Sequence, residues 1–294
     1  MTVLILSKLS ESSYENSRLI EKFKEHNIVV RLAHPDKFDI VVGGDIKNGV
    51  KYNGEIIDLP EIVLTRTGSG TTKFADALIR QFEEAGVTCI NSSESINISK
   101  DKLRTSQLLA KSKLPIPNTM LVRFPISHEI VHQEIGWPCV VKVVTGSYGD
   151  GVYLCEKRKD FKKLMELIDS LKSQKTLIVQ EYVNTRPGED LRVLVIGGKV
   201  IGAMRRIGAE GEFRANITGG GRGEPFEITN EIDFIARETA KVCGLSIAGI
   251  DLLFDKDSFK VCEANSAPGF SGFEQYCGID VAEEIVKYVK FKLL

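Results

Sequence analysis

Short apolar runs alternate with amphipathic segments through the first third of the chain. The apolar runs predict strands at residues 3–6, 28–32, 62–64 and 87–90. Between them, residues 14–26 and 72–86 have helical periodicity, and Gly86 stands where a helix C-terminus favours glycine. Strands that alternate with helices predict a parallel α/β sheet, so we expect a first unit of this class over residues 1–98.

The pattern changes after this unit. Residues 99–184 predict a smaller α+β unit, with helices at 101–112 and 159–172 and strands at 139–144, 152–155 and 176–180. Residues 185–294 predict a third unit in which Gly197 and Gly198 connect strands 191–196 and 199–204 as a hairpin. Its other elements are expected at 230–243 and 280–291 (helices) and at 247–254 and 259–264 (strands). The predicted class is therefore α/β, with an α+β middle unit.

Composition narrows the classes of function. The 294 residues carry a formal net charge of -1, and Lys and Arg are spread along the chain, so we expect no nucleic-acid partner. Only four consecutive apolar residues occur near the start, too few for a signal peptide or a membrane span. The six cysteines form no CxxC pair, which favours thiols in a reducing compartment over disulfides or a zinc site. We therefore expect a cytoplasmic protein without a membrane partner.

The strongest candidate for chemistry lies near the C-terminus. Asp251 is embedded in an apolar strand, and Glu263 and Asn265 follow in the next strand, two positions apart and so on one face. An antiparallel pairing could place Asp251 beside them. Two carboxylates and an amide oxygen are hard ligands that suit Mg²⁺ together with phosphate and water. The alternative is that Asp251 pairs with an arginine and Glu263 only caps a strand.

A second candidate is Lys142 with the glycine-rich stretch at 146–151. Three glycines in six residues between strands let backbone N–H groups close over phosphate oxygens, and Lys142 would add a point charge. It is not a Walker A loop, because no Gly-Lys-Ser/Thr follows. A glycine hairpin beside a lysine whose charged end reaches water explains the same residues.

Two weaker signals complete the set. The strand that runs into Glu181-Tyr182-Val183 could offer backbone groups to an adenine edge, although any strand end reads the same way. Arginines recur at Arg192, Arg205, Arg206 and Arg214, and Arg222 follows a run of glycines. Arginine matches phosphate and carboxylate with two parallel hydrogen bonds, but a solvated basic face is the alternative.

Taken in order, these motifs resemble the ATP-grasp superfamily. Within it, the chain is most similar to the RimK-like family of ribosomal-protein glutamate ligases. The resemblance covers nearly the whole chain and includes Arg66-Thr-Gly in the first unit and the tail Glu263-Ala-Asn-Ser-Ala-Pro-Gly-Phe. It implies an ATP-grasp fold in which the second and third units clasp ATP behind an N-terminal domain.

The resemblance also implies roles for individual residues. Contacts with ATP are expected from Lys102, Lys142, Gly146, Ser147, Tyr148, Gly149, Gly151, Glu181, Tyr182, Val183 and Asp190. Metal ligation is expected from Asp251, Glu263 and Asn265, with two Mg²⁺ ions and Mn²⁺ as a substitute. Arg192, Arg214 and Asn216 are expected to face the transferred phosphoryl group or the substrate.

The implied reaction joins a carboxylate to an amine through an acyl phosphate. We expect glutamate or another amino acid to be added to a peptide, a protein C-terminus or a small carboxylate, by a protein that forms a homo-oligomer. A dipeptide or glutathione-like ligase is a second reading. A non-catalytic ATP-binding module is a third, but such a module is expected to lose a metal ligand, and all three are present.

One departure from the family concerns the substrate loop. RimK relatives commonly carry Arg-Gly-Gly shortly after the Arg/Asn motif, whereas this chain has glycine at the arginine position and Arg222 three positions later. This difference affects the substrate and leaves the expected ATP chemistry unchanged.

Overall fold

Four β-sheets organise the part of the chain that the computed structural model describes, namely residues 2–44, 49–68, 71–145, 151–171, 176–183, 185–209, 215 and 220–293. The strands are β1 (Thr2–Leu6), β2 (Val29–Ala33), β3 (Phe38–Ile40), β4 (Val50–Tyr52), β5 (Glu55–Ile56), β6 (Ile62–Thr65), β7 (Thr88–Ile90), β8 (Thr119–Leu121), β9 (Cys139–Val143), β10 (Val152–Cys155), β11 (Leu177–Glu181), β12 (Glu189–Ile196), β13 (Lys199–Ile207), β14 (Arg222–Pro225), β15 (Ile247–Asp255) and β16 (Ser258–Asn265). The helices are α1 (Tyr14–Glu25), α2 (Lys73–Glu84), α3 (Ser93–Lys100), α4 (Lys102–Lys111), α5 (His128–Glu134), α6 (Arg158–Ser170), α7 (Asn230–Val242) and α8 (Val281–Lys292).

The first sheet has the parallel order β2-β1-β6-β7, which confirms the predicted α/β unit. Alternate residues of β1 enter two different cores. Val3 and Ile5 pack with α1 and α8, whereas Leu4 and Leu6 pack with α2. Both faces of the sheet are therefore covered, as parallel sheets require.

The middle sheet has the order β10-β9-β11-β8 and is antiparallel throughout. Its apolar face packs on α5 and α6 through residues such as Val131, Phe161 and Met165, which are 0–3% exposed. The other face carries Lys142 and Gln180 beside the buried Val140 and Ile178, so this face is partly polar.

The third sheet has the order β14-β13-β12-β15-β16, and all its pairs are antiparallel. The predicted hairpin is confirmed, with positive φ at Gly197 and Gly198. Leu191, Val193 and Ile250 face α7 in one core, to which Leu109 of α4 also belongs.

The opposite face of this third sheet is divided along its length. Leu194, Ile196 and Met204 share a core with the first unit, so one end of the face is apolar and covered. The polar residues of β12, β13, β15 and β16 occupy the other end of the same face, where they meet the second sheet. This division places the candidate site between the second and third sheets.

Several elements were not predicted. Helix α3, the strands β3, β4, β5, β8 and β14, and helix α5 gave no recognised sequence signal. Among the described residues, no helix is long and apolar enough to cross a membrane. All six cysteines are free thiols.

Candidate functional site

Strand register brings the polar residues of the third sheet into contact. Asp190 of β12 lies opposite Arg206 of β13, and Arg192 lies opposite Asp251 of β15. Asp251 in turn lies opposite Glu263 of β16, which confirms the expected antiparallel arrangement. Because side chains alternate along a strand, these residues share one face while their neighbours enter the core.

Asp251 is held by two arginines. Its Oδ1 accepts from Arg192 Nε at 2.7 Å, and its Oδ2 accepts from Arg192 Nη2 at 2.7 Å. Arg206 Nη2 lies 3.0 Å from the same Oδ2. Burial opposes ionisation of this carboxyl group, but the two guanidinium groups outweigh it and lower the pKa of Asp251 to about 2. The arginine pairing anticipated as an alternative is thus present.

Asp190 completes this network. Its two oxygens accept from Nε and Nη2 of Arg206 in a bidentate pair. Burial raises the pKa of Asp190 to about 6, opposed by the charge of Arg206. The carboxylate of Asp190, expected close to the nucleoside, is directed at Arg206 in this structure.

A β-bulge in β16 shapes the edge of the third sheet that carries Asp251, Glu263 and Asn265. Leu252 pairs with Val261 and Asp251 pairs with Glu263, so Cys262 is an extra residue in the strand. Val261 and Ala264 enter the core, while Cys262, Glu263 and Asn265 do not. The prediction that Glu263 and Asn265 share a face is confirmed, and the bulge adds a thiol beside them.

The oxygen atoms at this edge fit a magnesium ion. Among the described residues, Asp251 Oδ1 accepts one hydrogen bond, whereas Oδ2 has three contacts, the third from Asn265 Nδ2 at 3.4 Å. Glu263 has a side chain that is 31% exposed and lies 3.4 Å from Lys102. Mg²⁺ takes one or two carboxylates together with phosphate and water, a set that these residues can supply. The described residues contain no group of three or more His, Cys, Asp or Glu side chains arranged for a metal.

Lys142 lies across the cleft, on the second sheet. Its Nζ donates to Gln180 Oε1 at 2.7 Å and lies 3.7 Å from Cys262 Sγ. The same cleft is lined by Lys102, whose backbone N–H donates to Val144 O, and by Glu263. Both predicted phosphate lysines therefore meet one predicted metal ligand in a single cleft.

The predicted adenine segment lies at the end of β11. The Glu181 N–H donates to Asn118 O, and the side chain accepts from Asn118 N and from Lys260 Nζ. Tyr182 and Val183 follow outside the strand and are half-buried, and burial raises the pKa of Tyr182. The N–H and the carboxylate of Glu181 are thus both engaged within the fold.

Several predicted residues lie outside the described part of the chain, namely Gly146, Ser147, Tyr148, Gly149, Arg214 and Asn216. Gly151 is described and has a φ of +71°, and a Cβ there would lie 2.7 Å from Val143 Cγ2. Only glycine fits this position. Arg222 is exposed in β14.

Two residues of the site, Arg206 and Cys262, were not placed there by sequence reasoning. The double contact of Arg206 with Asp190 and Asp251 depends on the register of three strands, although the alternation of Asp190 and Arg192 hinted at a polar face. The position of Cys262 depends on the bulge, which no local pattern announces. Burial raises the pKa of the Cys262 thiol, so it stays protonated beside Lys142.

Comparison with known proteins gives two family matches that together span nearly the whole chain. Residues 99–289 match the RimK-like ATP-grasp domain, and residues 1–96 match the RimK PreATP-grasp domain. A protein of Shewanella frigidimarina named probable alpha-L-glutamate ligase 1 is 35% identical over 99% of this chain and 95% of its own length. A probable alpha-L-glutamate ligase of Marinomonas sp. is 36% identical over the same shares.

A solved structure has the same fold. The ATP-grasp ligase PsnB, complexed with a phosphomimetic variant of minimal precursor, Mg and ADP, superposes with a TM-score of 0.77. The match covers 99% of this chain and 98% of that one at 21% identity. The expected ATP-grasp fold is confirmed.

Proposed function

The chain belongs to the RimK-like ATP-grasp family and is a carbon–nitrogen ligase, and from that premise we propose that it uses ATP and magnesium to add glutamate or another amino acid to a carboxylate. One observation carries the proposal. Asp251 and Glu263 are paired across β15 and β16, and Glu263 lines the cleft that Lys142 enters from another sheet. Acidic oxygen donors and a lysine on opposite walls suit a metal-bound polyphosphate between them.

The proposed reaction has two steps. In the first, an oxygen of the substrate carboxylate attacks the γ-phosphorus of ATP, the bond to the β–γ bridging oxygen breaks, and ADP leaves with an acyl phosphate formed. In the second, an unprotonated amine attacks the acyl carbon. The carbon–oxygen bond breaks, and inorganic phosphate leaves as the amide nitrogen loses its proton.

The chain's own groups prepare these steps. We propose that Lys102 and Lys142 hold the phosphates and that Tyr182 and Val183 receive the adenine beside Glu181 and Asp190. Arg192 is fixed by Asp251 and aligns the transferred phosphoryl group or the acyl oxygen, a function for which a preorganised guanidinium is suited. Arg214 and Asn216 are proposed to act in the same place, and Gly146, Ser147, Tyr148 and Gly149 to cover the phosphates before Gly151.

Magnesium held by Asp251, Glu263 and Asn265 would neutralise charge that develops on the phosphate oxygens. We propose two ions, for which Mn²⁺ can substitute. The Mg and ADP named for the PsnB complex support magnesium and an adenine nucleotide, and the number of ions stays a proposal.

The names of the relatives support glutamate as the amine substrate. The acceptor is proposed to be a peptide, a protein C-terminus or a small carboxylate, and the precursor peptide named for a second PsnB complex supports a peptide. We further propose three units over residues 1–98, 99–184 and 185–294 and a homo-oligomeric assembly in the cytoplasm. A dipeptide or glutathione-like ligase would use the same residues and differ only in its acceptor.

Phosphate release tests the proposal. Purified protein is incubated with ATP, MgCl₂ and amino acids, singly and in pairs, and with short peptides that end in glutamate. The expected result is release that depends on glutamate, with a product mass equal to acceptor plus amine minus water. Release that no amino acid or peptide changes, without any condensation product, would contradict the proposal. The variant Glu224→Gln should release phosphate as wild type does, because Glu224 pairs with Arg205 away from the cleft.

A further inference from the structure

Arg66 stands at the carboxyl edge of the first sheet. Strands β1, β6 and β7 are parallel, so Ser7, Arg66 and Asn91 follow their strands at the same edge. Ligands of open α/β sheets bind in the crevice outside this edge. The Asn91 side chain already has partners, since it donates to Ile247 O and Ser266 O. Arg66 is different.

The guanidinium group of Arg66 is incompletely paired. Its Nη2 donates to Pro268 O at 2.9 Å, and its carbon lies 5.5 Å from the centre of the Phe270 ring. Its Nη1 is buried and has no hydrogen-bond partner among the described residues. A buried donor without a partner is costly, so such a nitrogen calls for an explanation. Burial lowers the pKa of Arg66 to about 10, which still leaves it charged at neutral pH.

A second buried polar atom without a partner lies at the start of α1. Ser13 occupies the N-cap position, but its Oγ makes no capping hydrogen bond and has no partner among the described residues. The two residues that follow it contact Phe270. Tyr14 packs on the Phe270 ring at 6.4 Å, and Glu15 accepts from the Phe270 N–H at 3.3 Å. Arg66 and the start of α1 therefore flank the same phenylalanine.

This place adjoins the candidate active site. Pro268 follows Asn265 by three residues, so the two lie within about 11 Å even if the chain is fully extended. A Cβ on Gly249 would lie 2.8 Å from Pro268 Cβ and 3.7 Å from Arg192 Nε. The carbonyl that receives Arg66 thus belongs to a proline packed beside Arg192 and the strand of Asp251.

The chemistry at Arg66 suits a carboxylate better than a phosphate. Glu15 is close enough for its charge to raise the pKa of Arg66, and a phosphate dianion would be repelled by it. Lys102 and Lys142, which are proposed to hold the phosphates, also lie on other elements, namely α4 and β9. Every α-amino acid that supplies an amine carries an α-carboxylate that does not react, whatever its side chain. A guanidinium group pairs with such a carboxylate through charge-assisted hydrogen bonds.

We propose that Arg66 binds the α-carboxylate of the amino acid that supplies the amine, with Nη1 as a donor. The assignment rests on the proposed function and adds a specificity residue from the first unit. Arg66 holds the amine substrate on the side of Pro268 while the cleft residues hold ATP. The first unit then takes part in substrate selection as well as in packing.

The test measures KM separately for L-glutamate and for ATP in wild type and Arg66→Met. Losing a hydrogen bond to a charged group predicts a KM for L-glutamate raised about 10- to 100-fold, with KM for ATP changed less than about 2-fold. The thermal midpoint is expected to change little, because methionine removes a buried unpaired donor while it loses the hydrogen bond to Pro268 O. Arg80→Met is the control, since Arg80 is an exposed arginine of the same unit that pairs with Asp76. A KM for L-glutamate equal in Arg66→Met and wild type overturns the assignment.

A change in the substrate tests the same contact without any variant. The α-amide of L-glutamate lacks the charged α-carboxylate, so wild type should use it with a KM raised about 10- to 100-fold. Equal use of acid and amide overturns the assignment even if Arg66→Met fails to fold. A wild type without amino-acid-dependent turnover contradicts the proposed function, and Arg66 is then tested by calorimetric binding of L-glutamate with a non-hydrolysable ATP analogue. Binding that is absent from wild type, or equal in wild type and Arg66→Met, overturns the assignment.

Discussion

The two walls of the cleft hold their charges differently. On the third sheet, Asp190, Arg192, Arg206 and Asp251 neutralise one another through contacts of 3.0 Å or less. On the second sheet, the contacts of Lys142 among the described residues are an amide oxygen and a thiol, both neutral. The first arrangement keeps its geometry without a ligand. The second leaves Lys142 without an anionic partner among the described residues, and we expect the phosphates of the nucleotide to supply the negative charge.

The difference follows from topology. Cross-strand pairs within one sheet are fixed by register, so carboxylates and guanidinium groups there meet at hydrogen-bond distance. Lys142 faces another sheet across a cleft, where no ladder imposes a partner. We therefore expect that breaking the ion-pair network of Asp190, Arg192, Arg206 and Asp251 lowers stability strongly, whereas substitutions of Glu263 and Lys142 change turnover or nucleotide binding.

The largest effect is expected from Asp251→Asn. It leaves Arg192 and Arg206 without their shared carboxylate, and breaking a buried ion pair in this way costs about 3–5 kcal/mol. Urea unfolding measures the loss. The control Asp255→Asn removes a half-buried carboxylate that pairs with Lys260, at an expected cost of about 1 kcal/mol or less. Equal losses for the two variants would show that the network is not the stabilising feature proposed here.

Glu263→Gln is expected to act on turnover instead. Its side chain is 31% exposed and lies 3.4 Å from Lys102, so the free energy of unfolding should change by about 1 kcal/mol or less. Loss of a metal ligand should lower kcat at least about 10³-fold, equivalent to about 4 kcal/mol. Phosphate release at saturating ATP measures this effect, with Glu224→Gln as the control. Unchanged turnover would refute the assignment of Glu263 to the metal.

Lys142→Met tests the other wall of the cleft, which belongs to the second sheet. The expected result is a KM for ATP raised about 10- to 100-fold, because one charge-assisted contact with phosphate is lost. Stability should hardly change, since the neutral partners of Lys142 lose no opposite charge. Lys199→Met, at an exposed position in the β12–β13 hairpin, should leave the KM for ATP unaltered. A large loss of stability in Lys142→Met would mean that both walls are structural.

The smallest expected effect is a pH dependence. The pKa of Asp251 is lowered to about 2 in the folded state by its two arginines, after burial has opposed ionisation. Its contribution to stability is complete above the unfolded pKa of about 4 and is lost as the pH falls towards 2. The unfolding free energy of wild type minus that of Asp251→Asn should therefore shrink by about 2 kcal/mol over this window. A difference that stays constant with pH would contradict the ionised pair.

The sequence predicted most long elements, because their periodicity is carried by many residues. The hairpin at Gly197 and Gly198 and helix α7 are examples. It missed β3, β4 and β5, which have only two or three residues each and so no measurable period. It also missed α3, whose serines are buried against neighbouring elements although they read as a polar loop.

For the site, sequence reasoning placed Glu263 and Asn265 on one face and Asp251 beside them. It could not place Arg206 against Asp251, because that contact depends on the registers of β13, β12 and β15 together. It also read Arg66 as part of a family motif only. The buried Nη1 became visible through the packing of Pro268 and Phe270.

The proposed acyl-phosphate mechanism is tested most directly by following a carboxylate oxygen through the reaction. The acceptor found by the phosphate-release assay is labelled with oxygen-18 in its reacting carboxylate, and the released phosphate and nucleotide are weighed by mass spectrometry. The account predicts one labelled oxygen in inorganic phosphate and none in the nucleotide, since the acyl phosphate breaks at the acyl carbon. Label in AMP, or phosphate released without label while the amide forms, would contradict the proposed acyl-phosphate ligase.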